Sequence, residues 1–389
     1  MARETDIAQA LTPEELLHRA SNMIPTLKER AAYTEELRRI PDETVQDLLA
    51  SELIRIGVPK MFGGLDVDYG LMLEIGELLG TGCSATSWCY CLWTAHAWLV
   101  GFWPLEAQQE VFGKTPDVLI SSSLNPGKST IEKAAGGYRL SGRWQFSSGC
   151  DAAEWVIVGA DAPEGKVWTL LPRSGYQIVD TWFVSGLRGS GSKDISIEDV
   201  FIPDHRVLDR DRGGDEERNG WDIHQTDRYC MPLHVLLGWD LVAPMIGIAQ
   251  GTIDEFTAQL TGTSGPGRTA DSDAVQLRLS QASAEVEASR ALMSADFNEI
   301  FEKAHNGDTF SNLERARFRR NKAFIAQQCL TAVNRLFELA GGHAIFDSGS
   351  LQRYHRDIQA AVRREGFIME LSGLQYGRIA LGLEPDGRI

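Results

Sequence analysis

Basic charge is scarce in this chain. Its 389 residues carry 38 Lys and Arg against 54 Asp and Glu, a formal net charge of −16. The bulk field therefore repels phosphates, which excludes a free-standing nucleic-acid binder with a basic face. No run approaches the roughly 20 apolar residues that a bilayer span requires. The most apolar window, Trp88 to Trp103, contains His96, ends at Pro104 and reads as a buried helix. The opening residues MARETDIAQALTPEELLHRA lack the basic and apolar regions of a secretory signal. Cysteine is sparse too: six, at positions 83, 89, 91, 150, 230 and 329. They make no pair of pairs at metal-ligand spacing, and the chain is too large to depend on disulfides. The expectation is a cytoplasmic protein with reduced thiols, no metal, and neither nucleic acid nor membrane as partner.

What is present is ordinary in bulk, with 43 % hydrophobic and 24 % charged residues, as in a soluble globular protein of two or three packed domains. Ten tryptophans are the exception, four of them between Trp88 and Trp103. Periodicity divides the chain into a helical domain at 1–117, a β-barrel or sandwich at 118–225 and a helical bundle at 226–389. Thr12-Pro13-Glu14-Glu15 predicts a helix start, and Asp42 caps a second helix. Short β-rich runs such as VLISSSL, EWVIVGA, KVWTLLP, YQIVDTW and DISIEDVFIP come next, punctuated by Gly and Ser turns. Asp204 to Asp227 reads as a charged connector with an exposed Gly213-Gly214 turn. Helices return from Cys230, the last from about Tyr354.

Two segments carry a specific resemblance: SGRWQFSSGCDAAEWVIVG, and VSGLRGSGSKDISIEDVFIPDHR some forty residues on. With Pro41 to Gly64 and the terminal Arg356-Asp357, they resemble the oxygenase components of two-component, group D flavin-dependent monooxygenases. The resemblance implies an α+β, acyl-CoA dehydrogenase-like fold: an N-terminal helical domain, a central β-domain and a C-terminal four-helix bundle, assembled as a homotetramer. It also implies reduced flavin (FADH2 or FMNH2) from a separate flavin reductase, dioxygen, and a small aromatic substrate that is phenolic, indole-type or an aromatic acid. Hydroxylation then proceeds through a flavin C4a-hydroperoxide, and the protein must exclude water while holding the relevant protons.

The same resemblance implies site residues, each with a plainer reading beside it. Phe146, Ser147 and Ser148 lie where the family sets a hydroxyl against flavin N5, with Ser148 preferred, and the alternative is a self-satisfied Ser-Ser-Gly turn. Ser122 falls near the flavin pyrimidine edge, or is simply a polar strand end. Arg188 and Ser190, with Ser192, belong to a loop near the flavin or to a Gly-rich hairpin. Gly341 and Gly342 match a glycine turn that approaches a neighbouring subunit's cofactor, or serve as a helix stop. His96 faces substrate in the family, whereas a lone histidine in an apolar helix is commonly a core residue. Most of the clustered tryptophans are core, with Trp93 a candidate wall for a flat substrate and Trp182 a second aromatic contact. Arg364 stands where many members have histidine; it cannot shuttle a proton but can clamp a carboxylate. Glu365 matches the base of the dehydrogenases of this fold, so an acyl-CoA dehydrogenase with tightly bound FAD is the alternative reading.

Overall fold

The computed structural model describes residues 11–65, 67–210, 219–261 and 269–386. The first helix, α1 (Pro13–Leu37), begins as expected: Pro13 sits in its first turn and the Thr12 hydroxyl accepts the Glu15 N–H. The second, α2 (Asp42–Ala50), corrects the expectation. Pro41 precedes the helix without a side-chain cap, and the Asp42 carboxylate pairs with Arg39 instead. Then come α3 (Tyr69–Gly80), capped by Asp68, the wholly buried α4 (Ser84–Val100) and α5 (Leu105–Phe112).

Eight strands succeed them: β1 (Ile120–Ser123), β2 (Lys128–Ala134), β3 (Gly137–Ser147), β4 (Trp155–Ala162), β5 (Gly165–Pro172), β6 (Gln177–Val179), β7 (Lys193–Pro203) and β8 (Val207–Asp209). They form two four-stranded sheets, ordered β1-β4-β5-β8 and β2-β3-β7-β6, antiparallel except for the parallel β1–β4 pair. Between the sheets lies a core of Leu140, Trp144, Val156, Val158, Leu171 and Ile195, with the Trp144 indole donating to the Gly159 carbonyl at 2.7 Å. Strand β8 lies inside the expected connector, and its Gly213-Gly214 turn falls outside the described residues. The YQIVDTW run is strand only at β6. Beyond it, Asp180 is held by both outer nitrogens of Arg38, at 2.8 and 2.7 Å, so the chain leaves the sheet.

Short helices α6 (Asn219–His224) and α7 (Leu233–Leu236) lead to α8 (Trp239–Thr261), α9 (Asp273–Asn306), α10 (Asn312–Leu339), α11 (Ser350–Ala361) and α12 (Met369–Ala380). The expected last helix is thus two, separated by the turn at 362–368. Helix α10 opens with a full capping box between Ser311 and Glu314. The segment Leu233–Thr261 is long and apolar enough to cross a membrane by length and composition, contrary to the reading of the sequence. Most of it is buried among α3, α4, α9, α10 and α11 instead. Helices α3 and α4 also pack on α8, so the apolar core runs unbroken from the first helices into the bundle.

Candidate active site

Every residue of α4 is buried, but not equally. Residual exposure of 5 to 8 % is confined to Ala85, Trp88, Leu92, Ala95 and His96. Those spacings place the five on one stripe of the helix. The stripe meets the end of β1 at one point and the turn after β3 at another.

At the β1 end, His96 makes two hydrogen bonds of 2.8 Å, Nδ1 to the Ile120 carbonyl and Nε2 to the Ser122 hydroxyl. A carbonyl only accepts, so Nδ1 carries the hydrogen and a neutral Nε2 accepts from Ser122. Burial, aided by the charge of Arg364, pushes the imidazole down to about 4, against the opposing Ile120 hydrogen bond. His96 is therefore neutral at physiological pH. The Ser122 hydrogen is spent on it, joining two residues that the sequence reading treated separately.

At the β3 end, the Trp88 indole donates to Ser148 Oγ at 3.2 Å. Ser148 Oγ lies 2.6 Å from Ser192 Oγ, which lies 2.7 Å from Ser190 Oγ. Three hydroxyls carry three hydrogens, and two serine–serine bonds consume two. If Ser190 donates to Ser192 and Ser192 to Ser148, the spare hydrogen belongs to Ser148. Ser147 is buried with no partner for its hydroxyl among the described residues, as is Ser121.

The backbone beside this chain of serines is forced. Between Trp144 and Ser147 the β3–β7 register shifts, and Phe146 takes a left-handed φ of 65° that turns its ring outward, 66 % exposed. Trp182 meets that ring edge-on at 6.0 Å and donates its indole N–H to the Leu187 carbonyl at 3.1 Å. Arg188 comes after it, its side chain 43 % exposed and 3.9 Å from Glu35. An exposed aromatic face, unpartnered buried hydroxyls, a spare hydroxyl hydrogen and a half-exposed guanidinium fit a flat group with a polar edge and a phosphate. Flavin is such a group.

The other expected residues fall elsewhere. Trp93 is corrected: it is fully buried, its indole donates to the Gly149 carbonyl at 3.3 Å, and Trp88 is the aromatic residue on the open stripe. Gly341 and Gly342 close α10 in open surroundings, Gly341 at φ 69°. Arg364 and Glu365 lie exposed on the turn after α11, and no described residue pairs with the Arg364 guanidinium. Its charge nevertheless reaches His96, Asp240 and Lys322. Asp240 and Lys322 are both buried; burial raises the Asp240 carboxyl and lowers the Lys322 amine to about 7. Helical spacing sets Trp88 on the side of residues 92–96, but a uniformly apolar helix gives no sign in sequence that this side is the open one. Lys322 ends a basic run, Arg315 to Lys322, that reads in sequence as a solvated helix face or a set of subunit salt bridges, whereas it lies at a buried position of α10.

Residues 240–367 match the family model "Acyl-CoA dehydrogenase, C-terminal domain". The chain is 32 % identical to the "FADH(2)-dependent resorcinol hydroxylase, oxygenase component" of Rhizobium sp., covering 100 % of this chain and 99 % of that one. To the "flavin-dependent monooxygenase, oxygenase subunit HsaA" of Rhodococcus jostii it is 31 % identical, over 94 % and 98 % of the two chains. The crystal structure of the HsaA monooxygenase from M. tuberculosis superposes with a TM-score of 0.92 at 30 % identity, covering 97 % of this chain and 99 % of that one.

Proposed function

The chain belongs to the oxygenase components of two-component flavin-dependent monooxygenases, and from that premise we propose how its residues serve the reaction. It is an enzyme of acyl-CoA dehydrogenase fold that takes reduced flavin from a separate reductase and, with dioxygen, hydroxylates an aromatic substrate. When bound, reduced flavin activates dioxygen and supplies one oxygen atom to the substrate, the other leaving as water.

Ser148 offers its hydroxyl to the ring edge of the flavin, with Ser192 and Ser190 behind it fixing where the hydrogen points. Phe146 and Trp182 supply an aromatic face, and Arg188 supplies the charge for a phosphate. His96, neutral and locked by Ile120, keeps Ser122 oriented and presents the polar end of an otherwise apolar stripe to the substrate. Trp88 and Leu92 form the wall between the two points, and the buried body of α4 excludes water behind them. Arg364 is a fixed cation near His96, which favours aromatic acids over neutral rings. The observation that carries this reading is the Ser190–Ser192–Ser148 hydroxyl chain, ending on the one stripe of α4 with residual exposure.

The dehydrogenase alternative rests on Glu365, which is exposed beside Gly366 rather than enclosed with a substrate. We assign the protein to the cytoplasm, in keeping with the buried thiols of Cys83, Cys89, Cys91, Cys150 and Cys329, which lie outside any disulfide among the described residues. We also propose a homotetramer in which Gly341 and Gly342 meet a neighbour's cofactor. Beside them Ile345 and Phe346 are 69 % and 58 % exposed, an apolar surface suited to a subunit contact.

The test is anaerobic titration with reduced and oxidised FAD and FMN. Reduced flavin should bind at least tenfold more tightly than oxidised, and the protein should change the rate at which that flavin reacts with dioxygen. Oxidised FAD that co-purifies and is bleached by an acyl-CoA would establish the dehydrogenase reading instead.

A further inference from the structure

The pair Arg356-Asp357 lies on α11, outside the residues assigned above. Along that helix Leu351, Tyr354, Ile358 and Ala361 are buried on one apolar stripe, and Asp357 is buried among them. A carboxylate at such a position needs a partner. It has the Leu187 N–H, at 2.6 Å, and the Ser84 hydroxyl at the start of α4 also faces it. Arg356 donates to the Ser185 carbonyl at 2.7 Å and grips Glu35 of α1 with both outer nitrogens. Between these two contacts Gly186 lies so close to α11 that a Cβ would stand 1.9 Å from the Arg356 carbonyl oxygen.

Three successive residues, Ser185 to Leu187, are therefore pinned to α11, and they lead directly into the serine loop. Leu187 adopts a left-handed φ of 51°, which a branched side chain adopts only when its surroundings over-determine it. Its N–H is held by Asp357 and its carbonyl by the Trp182 indole. Arg188 to Ser190 then form a single turn, and the Ser190 carbonyl accepts the Gly149 N–H at 2.8 Å, tying the loop to the residue after Ser148.

We infer that Arg356 and Asp357 are positioning residues, which hold the loop 185–192 against α4 and thereby set the Ser148 hydroxyl and the Trp182–Phe146 face. This rests on the proposed role of those groups toward reduced flavin. The contacts run from α11 through backbone atoms, so the device does not depend on which side chain stands at Leu187.

The experiment compares Asp357→Ala, Asp357→Asn and Arg356→Gln with the parent protein. The first readout is hydrogen–deuterium exchange of the peptide spanning 185–192, without any flavin. Asp357→Ala should raise exchange there at least tenfold with little change elsewhere in the β-domain. Asp357→Asn keeps an acceptor for the Leu187 N–H and should restore most of the protection. Arg356→Gln, at a partly exposed position, gives an intermediate increase and remains informative if Asp357→Ala does not fold. The second readout is the ratio of product to oxygen consumed, which should fall severalfold in Asp357→Ala and recover in Asp357→Asn. Unchanged loop exchange in folded Asp357→Ala or in Arg356→Gln overturns the inference, as does Asp357→Asn behaving like Asp357→Ala. Failure of the parent protein to use reduced flavin would sink the proposed function and leave the exchange result standing.

Discussion

His96 shows how far a single residue was legible. That it lies on an apolar helix, and that the family resemblance gives it a substrate-facing role, both come from the sequence. Its protonation state does not, because that depends on the Ile120 carbonyl and on burial. With the imidazole pushed down to about 4 from an ordinary 6.5, the folded chain stays unprotonated where the unfolded chain takes up a proton. Stability should therefore fall as pH drops from about 6.5 toward 4. His96→Gln should flatten that part of the profile, as followed by thermal melting across pH. In turnover, His96→Ala should leave reduced-flavin affinity within about twofold while product per oxygen consumed drops about tenfold or more. Coupling that stays at the parental level would return His96 to a purely structural role. Trp93 was misplaced for a related reason. Three tryptophans, Trp88, Trp93 and Trp98, on a helix buried throughout give no sign of which one borders an opening, and only the packing of Gly149 against Trp93 decides it.

Among the elements, long amphipathic helices and the turn-punctuated strands were readable, because their apolar periods are set by the geometry of one helix or one sheet. Strand β8 was not. Three residues at a sheet edge carry no alternation, and they pair with β5 only through a chain reversal far away in sequence. The Asp42 cap failed because Arg39, three residues earlier, competes for the same carboxylate. Asp357 was readable in principle, as an acid on the apolar stripe of α11, but its partner at Leu187 was not. The joint between α4 and the turn after β3 gives a test at this scale. Gly149 has a φ of 67°, and a Cβ there would lie 2.6 Å from the Trp93 indole nitrogen. Gly149→Ala combines backbone strain with a clash against a buried ring, so a loss of about 2–4 kcal/mol is expected in denaturant unfolding. It should also displace Ser148 from Trp88 and weaken reduced-flavin binding. A variant as stable as the parent would mean that this joint is softer than its geometry indicates.

For the whole molecule, the unusual order of helices, strands and helices restricted the architecture more than composition did. The net charge of −16 argued against nucleic acid and does not bear on the fold. Packing of α8 against both α3–α4 and α9–α11 joins the two helical regions, and α4 in turn packs on β1 and on the serine loop, which lies between α4 and α11. The site is therefore assembled from groups distant in sequence: His96 from the first helices, Ser122, Ser148 and Ser192 from the β-domain, and Asp357 from the bundle. A linear reading recovers such a set only where a resemblance supplies the spacing. The function turns on transfer of an oxygen atom from dioxygen by flavin reduced elsewhere, and isotope labelling follows that atom itself. Protein, excess reduced flavin and a panel of phenols, indoles and aromatic acids are exposed to ¹⁸O₂ in ordinary water, and products are weighed by mass spectrometry. A product carrying one ¹⁸O atom is expected, formed only when protein and reduced flavin are both present. Unlabelled hydroxylated product, with its oxygen drawn from water, would contradict it.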